Sequence, residues 1–162
     1  MLNLKIDDFK WKKVLEIKKQ KHLQKGSNDF NKSLLAKADK IKNKFGCYCW
    51  SNSKVICYVG SFTKPYSHIK SSNLKGRLHQ YLYNHPSNKN GTPMTNKKVF
   101  NKINETLRTS DVQLKILSFS NLVINSKNVC YEDFSSSPDL ILAVEKLLIA
   151  KYRIKNQNLW NS

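Results

Sequence analysis

Carboxylates are scarce in this sequence: 11 Asp and Glu stand against 29 Lys and Arg in 162 residues, a formal net charge of +18 at pH 7. Solubility needs far less charge than that, so the imbalance implies a polyanionic partner. Nucleic acid fits best, because basic residues gathered on a groove gain affinity by releasing condensed counterions. An AT-rich genome would also enrich Lys, Asn and Ile; it would explain lysine over arginine, but not the shortage of acids. Long apolar runs are absent as well. No stretch approaches the roughly 20 residues of a membrane-spanning helix, and residues 1–20 are too lysine-rich and interrupted for a signal peptide. The expected compartment is therefore the cytoplasm, with no membrane partner. Cysteine is sparse too. Cys47, Cys49, Cys57 and Cys130 show neither C-x-x-C spacing nor a histidine at zinc-finger distance, which favours reduced core cysteines over a zinc site.

What is present is enough to fold. A hydrophobic content of 40% with 10% aromatics offers the apolar surface that disordered chains lack, and the length suits one domain. Residues 7–25 read as a helix capped by Asp7 or Asp8, with Phe9, Val14, Leu15 and Leu23 as an irregular stripe ended by Gly26. A second helix from Ser27 or Asn28 carries Phe30, Leu34, Ala38 and Ile41. Together these predict a helical N-terminal extension over 1–45, ahead of a domain over 46–162.

At Gly46 the pattern changes. GCYCW and VICYVG are short aromatic and β-branched runs on either side of Ser51-Asn52-Ser53-Lys54, a β-hairpin pattern. Asn73 caps a helix with Leu74, Leu78 and Leu82 that stops by Pro86, and a polar loop follows. A helix near 96–107 turns Val99, Phe100, Ile103 and Leu107 inward; Val112, Leu114 and Ile116 then alternate as a third strand. Residues 122–124 and 129–131 add a small hairpin, and Ser137-Pro138 opens a final helix. The fold class is α+β, a small antiparallel three-stranded sheet flanked by helices.

Glu145 stands out because it interrupts ILAVEKLLIA and shares a helical stripe with Ile141, Leu148 and Tyr152. A carboxylate so placed needs a partner, and a divalent cation or a buried arginine would each serve. With one strong acidic candidate, a metal site would hold one ion with mostly water ligands. Arg77 and Tyr81, four residues apart, share a face of the Asn73 helix. Arginine presents a planar fork to phosphate, and a tyrosine can position or deprotonate a water. Tyr48 and Tyr58 share one face of the hairpin only if paired residues sum to an even number, which selects an odd-length turn. In the simplest such register Tyr48 lies opposite Tyr58, and Cys49 opposite Cys57 on the other face.

Gly46-Cys47-Tyr48 and Tyr58-Val59-Gly60 resemble the two signature tripeptides of the GIY-YIG nucleases. The later order is similar too: Arg77 with Tyr81, then Glu145, then Leu159-Trp160-Asn161 as the terminal asparagine element, with Asn158 as the other candidate asparagine. Cys47 and Val59 replace the isoleucines, and the interval from Tyr58 to Arg77 is longer than in the shortest members. The resemblance covers Gly46 to Asn161 and implies a GIY-YIG fold and a DNA endonuclease with Tyr48, Tyr58, Arg77, Tyr81, Glu145 and Asn161 in the catalytic site. It further implies one Mg²⁺ or Mn²⁺ on Glu145, double-stranded DNA as partner, and 5′-phosphate and 3′-hydroxyl ends. A free phenol titrates near ~10, so a base role for Tyr58 needs a cationic setting. Lys64, His68, Lys70, Lys75, Lys89, Lys97 and Lys98 are the expected DNA-binding residues. A small domain with loop insertions resembles type II restriction endonucleases, which implies a fixed target and a homodimer on DNA. A phage or mobile-element nuclease of looser specificity, or a non-catalytic basic DNA-binding protein, are the alternatives.

Overall fold

The computed structural model describes residues 11–20, 46–62, 95–118, 138–156 and 158–161, with the side chains of 95–97 left out. Among these, four strands form one antiparallel sheet: β1 (Lys12–Ile17), β2 (Gly46–Asn52), β3 (Ile56–Phe62) and β4 (Val112–Ser118), in the order β1-β4-β2-β3. Two helices accompany it, α1 (Thr95–Leu107) and α2 (Pro138–Lys155). The architecture is mixed α+β. No helix among the described residues is long and apolar enough to cross a membrane.

Period-two alternation sorts the strands into two apolar faces. One gathers Leu15, Ile17, Tyr48, Trp50, Tyr58, Phe62, Leu114 and Ile116, and α1 covers it with Val99, Phe100, Ile103 and Leu107. The other gathers Cys47, Cys49, Val59 and Leu117 under Ile141, Val144 and Leu148 of α2. The spacing of Val99, Ile103 and Leu107 is the i, i+4, i+8 stripe expected of a helix lying on a sheet. α2 opens with proline, which needs no N–H at the first helical position. Asp139 in its first turn and Arg153 and Lys155 in its last complement the helix dipole.

Three features differ from the sequence reading. The helix expected over 7–25 is a strand at Lys12–Ile17, and the sheet has four strands, not three. Leu15 and Ile17 alternate into the core, with an irregularity between Lys13 and Leu15 that admits Val14 to the same cluster. The reason is long-range: β4 has a free ladder edge beside β2, and β1 satisfies it. Trp11 is held to the far side by its indole N–H, which donates to the Tyr152 hydroxyl at 2.9 Å. The helical-extension reading of 1–45 therefore fails over this stretch, which belongs to the sheet.

The third difference is the hairpin register. Tyr48 pairs with Gly60 and Trp50 with Tyr58, two residues away from the expected pairing, after which Ser51 pairs with Ile56. Cys57 is thus the extra residue of a β-bulge. Asn52 sets the turn: its side-chain oxygen accepts from the N–H groups of Lys54 and Val55, and its own N–H donates to the Val55 carbonyl. The tip alone would give an odd sum, and the bulge restores an even one. Both tyrosines consequently keep one face by a bulge and not by an odd-length turn. The helices expected over 27–45 and from Asn73, the hairpin at 122–131, and Cys130 lie outside the described residues.

Candidate active site

The β2–β3 hairpin carries both glycine-tyrosine tripeptides, and each glycine has its own physical reason. Gly46 adopts φ 152°, a conformation that side-chain-bearing residues rarely take. Gly60 faces the Tyr48 ring so closely that a β-carbon there would lie 2.5 Å from the phenol Cζ and oxygen. With that space open, Tyr48 lies across Gly60 and reaches Tyr58, their ring centroids 6.1 Å apart at an interplanar angle of 43°. Both rings are buried, Tyr48 1% and Tyr58 8% exposed. Cys47 and Val59, on the alternate face, are fully buried under α2.

β3 is an edge strand, and the segment after α2 closes its open side. Asn156 donates its side-chain amide to the Ile56 carbonyl at 3.1 Å, and the Trp160 N–H donates to the carbonyl of the bulged Cys57 at 2.7 Å. Asn161 then forms a two-point clip on Val59: its Oδ1 accepts from the Val59 N–H at 2.8 Å, and its Nδ2 donates to the Val59 carbonyl at 2.7 Å. Arg153 holds the tail from the helix side by donating to the Asn161 carbonyl. Asn161 is therefore the asparagine that meets the second tripeptide, and its amide is engaged with backbone. Asn158 instead donates its backbone N–H to the Asn156 side chain.

Glu145 sits half-buried on α2, between the buried Ile141 and Leu148 on its stripe. It stands near Cys47, whose thiol is pushed up by burial and then by the negative charge of Glu145. Burial likewise pushes the Cys49 thiol up to about 12. The cysteines Cys47, Cys49 and Cys57 are free, and no three His, Cys, Asp or Glu among the described residues are grouped to hold a metal. A hard cation at Glu145 would accordingly find fewer than three such side chains among the described residues and complete its shell largely with water, as a magnesium-like ion tolerates.

Tyr48 and Tyr58 come together, but on the α1 face, whereas Glu145 rides on the helix that covers the cysteine face. α2 meets β2 near its start, where the Cys47 thiol approaches the Ile141 carbonyl. That end of the hairpin is where β3 leads into 63–94. Arg77, Tyr81, Lys64, His68, Lys70, Lys75 and Lys89 lie outside the described residues, as does the side chain of Lys97. Lys98 is exposed on α1. Sequence reasoning missed Trp50, fully buried opposite Tyr58, and Asn156, whose only sequence signal was its place just past a helix end. Compared with protein-family models, with curated proteins and with solved structures, the chain matches none.

Proposed function

We propose that this chain is a divalent-metal-dependent DNA endonuclease of the GIY-YIG kind. The observation that carries the reading is the hairpin register: Tyr48 across Gly60, both tyrosines on one face, and Asn161 clipped to Val59 between Tyr58 and Gly60. These are the positions where the two tripeptides and the terminal asparagine depend on one another. The surplus of 18 positive charges supports a nucleic-acid partner.

In this reading Tyr58, aided by Tyr48 and Tyr81, orients or deprotonates the attacking water. Arg77 offers its fork to the phosphate and stabilises charge that develops there. Glu145 would hold the cation, which when bound would supply Lewis-acid polarisation of the phosphate. Among the described residues, the hairpin supplies Tyr48 and Tyr58, and the chain continues from its β3 end into the segment that carries Arg77 and Tyr81. Fixed-target, restriction-like cutting by a homodimer on double-stranded DNA is the form we favour.

The test incubates the full chain with long DNA and Mg²⁺ or Mn²⁺ and sequences the ends. Ends with 5′-phosphates, recurring at one short target and abolished by Glu145→Gln, are expected. Metal-dependent cutting that survives Glu145→Gln would overturn the role of Glu145, and ends scattered over many sequences would indicate the looser, mobile-element type.

One observation favours a second reading, a basic DNA-binding protein without catalysis. The tyrosines are buried on the α1 face while Glu145 stands on the helix over the opposite face. Salt-sensitive DNA binding with no cleavage under either metal would select it.

A further inference from the structure

α1 and the tail after α2 enclose a groove of about 580 Å³ lined by Lys98, Asn101, Lys102, Glu105, Asn158 and Trp160. The four α1 residues fall at i, i+3, i+4 and i+7, one continuous helical stripe. Glu105 is engaged by Lys102 at 2.9 Å. Lys98 has no ion-pair partner among the described residues, so one cation of the groove is available for an anion. Asn101 and Asn158 supply amides, each able to donate and accept. Trp160 is half-buried and packed against the core cluster, so its indole is held in place before any ligand arrives.

The groove's position adds direction. Trp160 is tied through its backbone to Cys57 and Asn161 through its side chain to Val59, so Tyr58 lies between the two anchor points. α1 and Trp160 also share the hydrophobic cluster that contains Tyr48 and Tyr58. The groove thus lies on the α1 side of the sheet, bounded by the tail that is bonded to the edge strand.

We propose that this groove binds one unpaired nucleotide of a DNA strand, its phosphate on Lys98, its base against the Trp160 indole, and its polar edge within reach of Asn101 and Asn158. Its size falls in the usual ligand-pocket range of about 300–1,000 Å³. A free cation beside a fixed aromatic ring is the combination by which proteins hold single strands, the cation tracking the backbone and the ring accepting any base. The choice of DNA rests on the nuclease reading; the unpaired-nucleotide chemistry rests on the groove alone.

The experiment uses the full chain in EDTA, so that binding is read without cleavage. A short labelled oligothymidylate and the matching duplex are titrated by anisotropy, and tryptophan emission is followed in parallel. Lys98→Glu and Trp160→Leu should each weaken single-strand binding by about tenfold, and the strand should quench emission in the native chain but not in Trp160→Leu. Lys12→Glu, an equal charge change on the opposite edge of the sheet, should leave the single-strand affinity within about twofold of native. Circular dichroism identifies any variant that has lost its fold, and Lys98→Glu, at an exposed helical position, keeps the test available should Trp160→Leu unfold. Equal losses in Lys98→Glu and Lys12→Glu, or persistence of quenching in Trp160→Leu, would overturn the proposal. Absence of cleavage by the native chain in Mg²⁺, with these binding differences intact, would instead count against the nuclease reading and leave the groove assigned.

Discussion

The Tyr48 ring lies directly across the backbone of Gly60, filling the space a β-carbon would need. Because Tyr48 is 1% exposed and belongs to the core cluster, its ring cannot yield by turning out into solvent. Gly60→Ala should therefore act as an overpacking substitution, costing about 1–3 kcal/mol. Urea denaturation reads this as a lower midpoint at unchanged slope. An unchanged midpoint would show that the ring can move aside, and that Gly60 is not held by this contact.

Asn161 joins the chain's tail to Val59 through both halves of its amide. Asn161→Ala leaves an N–H and a carbonyl of an edge strand without these partners, and the expected loss is about 1–3 kcal/mol. Asn161→Asp keeps an acceptor for the Val59 N–H but loses the donor to its carbonyl, so it should unfold at an intermediate denaturant concentration. If the asparagine acts by positioning the second tripeptide, cleavage and stability fall together across the two variants. Lost cleavage at an unchanged unfolding midpoint would instead mean that Asn161 touches the substrate.

Leu15 distinguishes a strand of the sheet from a removable extension, since it is 5% exposed within the main core cluster. Leu15→Ala should cost about 2–5 kcal/mol. A chain that begins at residue 21 should lose cooperative unfolding, because β4 then keeps an unpaired edge. A sharp calorimetric transition for the shortened chain would contradict that role for β1.

DNA affinity should depend steeply on salt. If about six phosphates are contacted, binding should weaken about a thousandfold between ~50 and ~200 mM salt. Anisotropy titrations across that range measure the slope, and a flat line would remove the polyanion argument drawn from the net charge.

Acid should loosen the junction between β1 and β4. Hydrogen bonds from Lys18 hold the Asp111 and Glu16 carboxyls below their ordinary values, with the Lys19 N–H helping at Asp111 and the Gln113 amide at Glu16. A lowered folded-state value means that the stabilisation is complete above the ordinary carboxylate range and is lost as pH falls through the lowered values. Lys18 is raised by the same partners, so its share is complete below the ordinary lysine range and fades as pH rises through the raised value. These groups are exposed and the effect is small. The thermal midpoint of Asp111→Asn should lie below that of the native chain at neutral pH and converge on it in acid; a gap that persists in acid would exclude this cause.

The elements that could be read from sequence were those whose signal is local and repeated. The 13-residue α1, the 18-residue α2 and the alternating Val112, Leu114 and Ile116 all fall where their periodicity puts them. β1 was hidden because its pattern is six residues long, begins with two lysines, and makes sense only once β4 is known to need a partner. Parity gives only the condition under which Tyr48 and Tyr58 share a face, and the bulge is what meets it. Their actual pairing depends on the Asn52 turn and the Cys57 bulge, which no strand periodicity encodes. The backbone target of Asn161 lies 102 residues away, a contact that only the folded sheet creates.

The bulge and the tail that meets it have a consequence for how this protein behaves in company. β3 reads ICYVGSF, seven residues with no charge, no proline and high β-propensity, set at the margin of a sheet. Such a strand is a template on which another chain can add, and the segment has the composition of amyloid-forming windows. Its guard is a handful of bonds from Asn156, Trp160 and Asn161 and the kink at Cys57. The same asparagine that meets the second tripeptide thereby separates a covered strand edge from an open-ended one, and loosening it would expose β3 to pairing with another chain.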